Sequence, residues 1–249
     1  VVSEMAKNKT GKKKIVVASI LAALAMQTAS VIDVAAAVGD QPSAAIANGS
    51  VTSGKTNGLA IGNFASSGSN QSIAIGYYSV ATATEADPAL PATAVGAGAN
   101  ATGQSTVALG LLAQATSGST TALGAKSVAS EDAAVAVGYG TKATGNYASA
   151  LGADATASNN DATAFGHGTV ASGGSSTALG SRAKAGGTAG VGIGMLANAT
   201  NQYGVAIGGE SSSSADNSIA IGRKSSVTGE SGIAIGAFTT SKGANGVAV

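Results

Sequence analysis

The residues with chemical potential in this 249-residue chain are few and scattered. Gly49-Ser50-Val51-Thr52-Ser53-Gly54-Lys55-Thr56 has the G-x-x-x-x-G-K-T spacing of a phosphate-binding loop. That chemistry needs backbone N–H groups cradling phosphate at a helix start, with the lysine on the terminal phosphates. Asn57-Gly58 and then a β-type run follow, so the sequence leaves no place for the helix. Gly96 to Ala101, Gly138 to Ala143 and Gly166 to Ala171 fit G-x-G-x-x-A, again with no helix behind them. His167 is the single histidine and occupies a turn; no Ser/His/Asp or Cys/His set is evident around it. No group of His, Cys, Asp or Glu has metal-ligand spacing, and the calcium-binding nonapeptide is absent. Glu85 and Asp87 are close enough for paired acid–base work but lie in an irregular stretch beside Pro88 and Pro91. Asn-x-Ser/Thr triplets at Asn8, Asn48, Asn100 and Asn198 are a chance product of the composition. The expectation is a protein that is not an enzyme, with no catalytic residue, metal or cofactor.

What would position such residues is a thin scaffold. The chain holds 37 Gly and 55 Ala, only 3% aromatic and 10% charged residues, and no cysteine. Low charge argues against disorder, and the shortage of bulky side chains argues against one thick core. The net charge of +1 hides an asymmetry, because Lys7, Lys9, Lys12, Lys13 and Lys14 crowd the start. Beyond Ala37 there are eight basic and ten acidic residues, which leaves no basic patch for nucleic acid.

Residues 1–37 read as the end part of an extended, helical signal peptide. Lys12-Lys13-Lys14 precede the twelve uncharged residues Ile15 to Met26, and Ala35-Ala36-Ala37 offers small-x-small cleavage after Ala37. Twelve residues are too few to span a membrane, which takes about 20. An exported chain without cysteine is stabilised by packing and backbone pairing alone. Residues 38–58 read as a lead-in or cap.

From Leu59 to Val249 the sequence is periodic. Glycines recur at Gly62, Gly76, Gly96, Gly110, Gly124, Gly138, Gly152, Gly166, Gly180, Gly194, Gly208, Gly222 and Gly236. Eleven of the twelve intervals are 14 residues and one is 20. Such a period marks a repeat architecture. Counting each glycine as position 0, position 13 is a large apolar residue in all fourteen runs, and position 12 is Ala in all but one, Gly192. Position 11 is Val, Ile or Leu in nine runs and Thr or Ser in five. Large-small-large alternation is the signature of a strand. Small residues at positions 3 and 5 flank a mostly polar position 4, which makes a second short strand. Each glycine supplies the positive φ that a tight reversal needs. The sequence therefore predicts a parallel β-roll, with the insertion over 80–93 looping out and leaving the register intact. Stacked at about 4.8 Å per coil, it would make a rod of roughly 60 Å. Positions 11 and 13 are expected to point into the roll and the Ala column at 12 to face other chains. The thin core calls for burial against further copies of the chain.

Asn217-Ser218-Ile219-Ala220-Ile221-Gly222 with Ser225, and Gln71-Ser72-Ile73-Ala74-Ile75-Gly76 with Ser79, resemble the head repeat of YadA-like trimeric autotransporter adhesins. Val1 to Lys7 is similar to the end of the extended signal peptide region of large autotransporters. The resemblance implies a left-handed roll, a homotrimer, a coiled-coil stalk and an outer-membrane barrel. The sequence shows neither sustained heptads nor barrel strands, so it reads as truncated before its membrane anchor. The implied function is a surface adhesin head that binds matrix proteins such as collagen, fibronectin or laminin. Asn217, Ser218, Ser225, Ser72 and Ser79 are its candidate ligand contacts. A passive spacer has the same fold. An enzyme on a β-solenoid is a third class, but an acyltransferase would need a hexapeptide period.

Overall fold

The computed structural model describes residues 44–46, 50–51, 57–83 and 90–249. The signal segment with its cleavage after Ala37, and Glu85, Asp87 and Pro88, lie outside the described residues. All described elements are strands, in two parallel sheets of 15 and 14 strands. The chain alternates between the sheets. Each coil gives a three-residue strand at positions 11 to 13, such as Ile219–Ile221, to the long-strand sheet. It gives a two-residue strand at positions 4 and 5, such as Ser226–Val227, to the short-strand sheet. This is the parallel β-roll that the period implied, and no helix occurs among the described residues.

Successive coils stack residue on residue, Leu59 on Ile73, Ala60 on Ala74 and Ile61 on Ile75. Across the insertion the register holds: Ile73, Ala74 and Ile75 pair with Thr93, Ala94 and Val95. Val80–Ala81 and Thr93 are themselves strand residues, so the extra residues lie inside narrower limits than 80–93. Segment 38–58 also contributes to the roll, because Ala44–Ile46 pairs with Leu59–Ile61 and Ser50–Val51 pairs with Ser66–Ser67.

Among the described residues the interior is built from small side chains, with Val227 the largest that is fully buried. Positions 3, 5, 10 and 12 point inward, as in Ala155, Ala157, Ala162 and Ala164, all fully buried. This overturns the expected orientation of the long strand. The Ala column at position 12 lies inside, while positions 11 and 13 face out: Ile75 and Ile207 are half-buried and Ile221, Ile235 and Phe165 are exposed. The cause is width. Sheets close enough for Ala to meet Ala or Ser leave no room for Ile between them, so the strand must turn its large residues outward.

The coil is also two similar halves of seven residues. Position 0 and position 7 each open a turn; positions 2 and 9 have left-handed backbone; positions 3 and 10, then 5 and 12, point inward. Twenty-three of the described residues other than glycine have φ between 51° and 62°, all at positions 2 and 9, Phe64, Tyr147 and Asn217 among them. Gly98, Gly140 and Gly168 fill position 2 with φ of 62° to 64°, which explains the three G-x-G-x-x-A matches. Ladder bonds continue through these turns, from Tyr78 N–H to Asn63 C=O at 3.0 Å and from Leu112 N–H to Ala97 C=O at 2.9 Å.

Position 0 tolerates only glycine, for two reasons. Gly222 has φ +127°, and a Cβ there would lie 2.3 Å from the Gly236 carbonyl oxygen one coil on. Gly222→Ala is expected to cost about 3 kcal/mol or more in chemical denaturation. Gly209→Ala, whose new Cβ has no neighbour closer than 4.0 Å, should stay within about 0.5 kcal/mol. A second test uses Val227, the largest fully buried side chain. It stands against Gly232, where a Cβ would lie 2.8 Å from both Val227 Cγ1 and the Gly229 carbonyl oxygen. Gly232→Ala alone should cost about 1–3 kcal/mol by overpacking. Combining it with Val227→Ala places alanine at positions 5 and 10, as at Ala129 and Ala134 of another coil, and the double-mutant cycle should show favourable coupling of about 1 kcal/mol.

Candidate functional site

Four surfaces run the length of the rod: the two outer sheet faces and the two edges formed by the turns. The long-strand face presents positions 11 and 13, which are apolar in most coils, with Leu123 and Leu179 each 42% exposed and Ile235 43%. The short-strand face is polar. Position 4 carries Asn100, Gln114, Lys142, Lys184 and Asn198, and position 6 is Thr or Ser in most coils. The buried Oδ1 atoms of Asn100 and Asn198 have no hydrogen-bond partner.

The edges differ in charge. Positions 7 to 9 hold Glu131, Asp132, Asp161, Asp216 and Glu230, and no basic residue among the described residues. Positions 1 and 2 hold Lys126, Arg182, Arg223 and Lys224 with Asp154 and Glu210. Lys224 Nζ pairs with Glu210 Oε2 at 3.5 Å across one coil, and Arg223 lies over the Phe238 ring at 4.6 Å. The same edge exposes an aromatic cluster near the amino end. Phe64 and Tyr78 stack at 4.6 Å, and Tyr77 meets Tyr78 edge-on at 4.5 Å. Desolvation in this cluster, then the neighbouring Tyr78 phenol, raises the Tyr77 hydroxyl above its ordinary pKa.

The structure separates the residues that the sequence grouped as ligand contacts. Ser72, Ser79, Ser218 and Ser225 are fully buried, so their side chains reach no ligand. Ser79 donates to the Gly76 carbonyl and Ser225 to the Gly222 carbonyl, each at 2.9 Å. Ser72 and Ser218 donate to the carbonyls of Ser69 and Ala215 at 2.6 Å and share hydroxyl bonds with Ser67 and Ser213. They satisfy turn carbonyls inside the roll. Asn217 alone of the set is exposed, in a left-handed turn with φ 57°. Sequence reasoning also missed the inward column at position 10. It is small in every coil from Ser72 to Gly246, and that was visible.

Among the described residues no other chemical candidate gains a partner. His167 is an exposed turn residue. Ser50–Val51, inside the phosphate-loop spacing, is a strand; most of that motif lies outside the described residues. Among the described residues no group of three His, Cys, Asp or Glu could hold a metal, and no helix is long and apolar enough to cross a membrane.

A family model for the YadA head domain repeat matches residues 53–84, 91–113, 115–141, 143–169, 199–225 and 228–249. Residues 170–198, between two matches, continue the same coils. Among solved structures, the collagen-binding domain of the Yersinia adhesin YadA is similar at 28% identity and a TM-score of 0.35, over 70% of this chain and 79% of that one. No curated protein matches the chain. The family matches cover well over half of the chain, and the 14-residue coil that they fall on is the one described above: the chain belongs to the family of YadA head domain repeats.

Proposed function

We propose that the rod is the adhesive head of a homotrimeric adhesin on a bacterial surface, attaching the cell to extracellular-matrix proteins such as collagen, fibronectin or laminin. The observation that carries this is the division of the outer surface. One face repeats Ile, Val and Leu on coil after coil, and the opposite face repeats polar residues. The apolar face is the kind of surface that is buried between subunits. Its burial leaves the polar face in water, where identical weak sites in rows gain by avidity without new contacts. The route to the surface is export by an amino-terminal signal with cleavage after Ala37. The turn glycines from Gly62 to Gly236 serve the scaffold, and Asn217 is the one family-like contact that can still face a ligand.

A passive spacer is the second reading, favoured by the burial of Ser72, Ser79, Ser218 and Ser225: the residues that mark the family also build the coil. Binding of the purified rod to surfaces of collagen, fibronectin and laminin separates the two. An adhesin should dissociate more slowly from dense than from sparse matrix coatings. No binding to any of the three supports the spacer. Asn217→Ala should weaken matrix binding if that turn is a contact, and unchanged binding by a folded trimer removes it.

The subunit contact is tested separately by sedimentation. The unaltered rod should sediment as a trimer. Replacing Ile221 and Ile235 by Lys should shift it to monomer, while Ser212→Lys, in a column where Lys142 and Lys184 already stand, should leave it unchanged.

A further inference from the structure

The acidic edge carries a groove of about 540 Å³ lined by Gln104, Thr116, Ser117, Gly118, Asp132 and Tyr147 with their neighbours. It exists because position 8 of one coil is Gly118, which has no side chain. A Cβ there would come 3.4 Å from the Asp132 carboxylate and begin to fill the floor. Gln104 lies one coil before the glycine, Asp132 one coil after it and Tyr147 in the next. The walls are held by the coil-to-coil ladder. The amides of Ser119, Ala133 and Tyr147 donate to the carbonyls of Gln104, Gly118 and Asp132, each at 2.8 Å. Asp132 Oδ1 accepts the Gly118 N–H at 3.1 Å and the Ser117 hydroxyl, which fixes the carboxylate. Tyr147 is 65% exposed.

This set has a definite chemical preference. An exposed phenol ring offers an apolar face with a polar tip. A fixed carboxylate accepts two hydroxyl hydrogens, and a primary amide both donates and accepts. Pyranose sugars present that complement, a C–H face on one side and hydroxyl groups around the rim. Three coil steps at about 4.8 Å make the groove roughly 14 Å long, room for a di- or trisaccharide. Asp132 in the groove, Glu131 beside it and Asp161 in the coil after Tyr147, with no basic residue among the described residues of this edge, set a local potential that disfavours sialylated and sulfated sugars. We propose that the groove between Gln104 and Tyr147 binds uncharged pyranosides. The inference deepens the adhesive reading and takes its biological setting from it, but the binding is measurable by itself.

The test uses the purified rod with lactose and cellobiose as neutral probes and 3′-sialyllactose and heparin as anionic ones, read by saturation-transfer NMR and calorimetry. Saturation should pass to at least one neutral disaccharide and to neither anionic probe. Tyr147→Asn, chosen because asparagine tolerates the φ of 58° at this position, should weaken sugar binding at least about tenfold. Asp132→Asn keeps an acceptor for the Gly118 N–H and should also weaken binding, while Tyr203→Asn on the same edge should not change it. Circular dichroism establishes that each variant is folded. Absence of transfer to both neutral sugars, equal binding by folded Tyr147→Asn, or preference for the anionic probes overturns the proposal. Matrix-protein binding is measured on the same samples: matrix binding without sugar binding ends this inference alone, whereas loss of both ends the adhesive reading as well.

Discussion

The width of the interior governs the molecule. Each coil reverses twice within 14 residues, so the two sheets stand only as far apart as opposed Ala, Ser and Thr side chains allow. Everything bulky is pushed to the outside. Among the described residues Val227 is the one fully buried residue larger than threonine, and it stands against a glycine at position 10 of its own coil. A core of methyl groups and hydroxyls has little apolar area to bury, at about 25 cal/mol per Å². Cohesion therefore comes largely from the continuous hydrogen-bond ladder between coils and from whatever covers the outer apolar columns.

The ladder also explains how the fold carries so much unfavourable backbone. Left-handed geometry costs a residue other than glycine about 1–2 kcal/mol, yet Phe, Leu, Arg and Glu all occupy it here. At position 2 the N–H donates to position 1 of the coil before, as from Lys224 to Gly209 at 2.9 Å, and the turn closes with the position 3 N–H on the position 0 carbonyl, as from Ser225 to Gly222 at 3.2 Å. The side chain at position 2 points outward, so its size is free to vary. The same freedom makes the edges the places where composition diverges from coil to coil: aromatic at Phe64, Tyr77 and Tyr78, basic at Arg223 and Lys224, acidic at Asp132 and Asp216.

Much of this was legible in the residues. The spacing of the turn glycines carried the coil length, the strand alternation at positions 11 to 13 carried the long sheet, and the register across the insertion followed from phase. The direction of the alternation was not legible, because large-small-large suits either face. Deciding it takes the sheet separation, which depends on all four inward columns together, and the column at position 10 went unread although Ala134, Ala148 and Ala162 displayed it. The left-handed positions 2 and 9 were hidden by side chains as different as Phe64 and Asp161, since the ladder and not local propensity holds them. Of the candidate contacts, the serines were legible as a family pattern, but a pattern shared with the fold says nothing of exposure. The groove at Gly118 arises from residues in four successive coils and shows only when these are stacked.

If the narrow interior leaves the apolar columns dependent on other copies of the chain, folding and association are one equilibrium. The direct measurement is the thermal unfolding midpoint of the rod over a wide range of protein concentration. Coupled folding and association predict a midpoint that rises with concentration. A midpoint independent of concentration, in a chain that unfolds reversibly, would contradict it and show that the thin roll is stable alone.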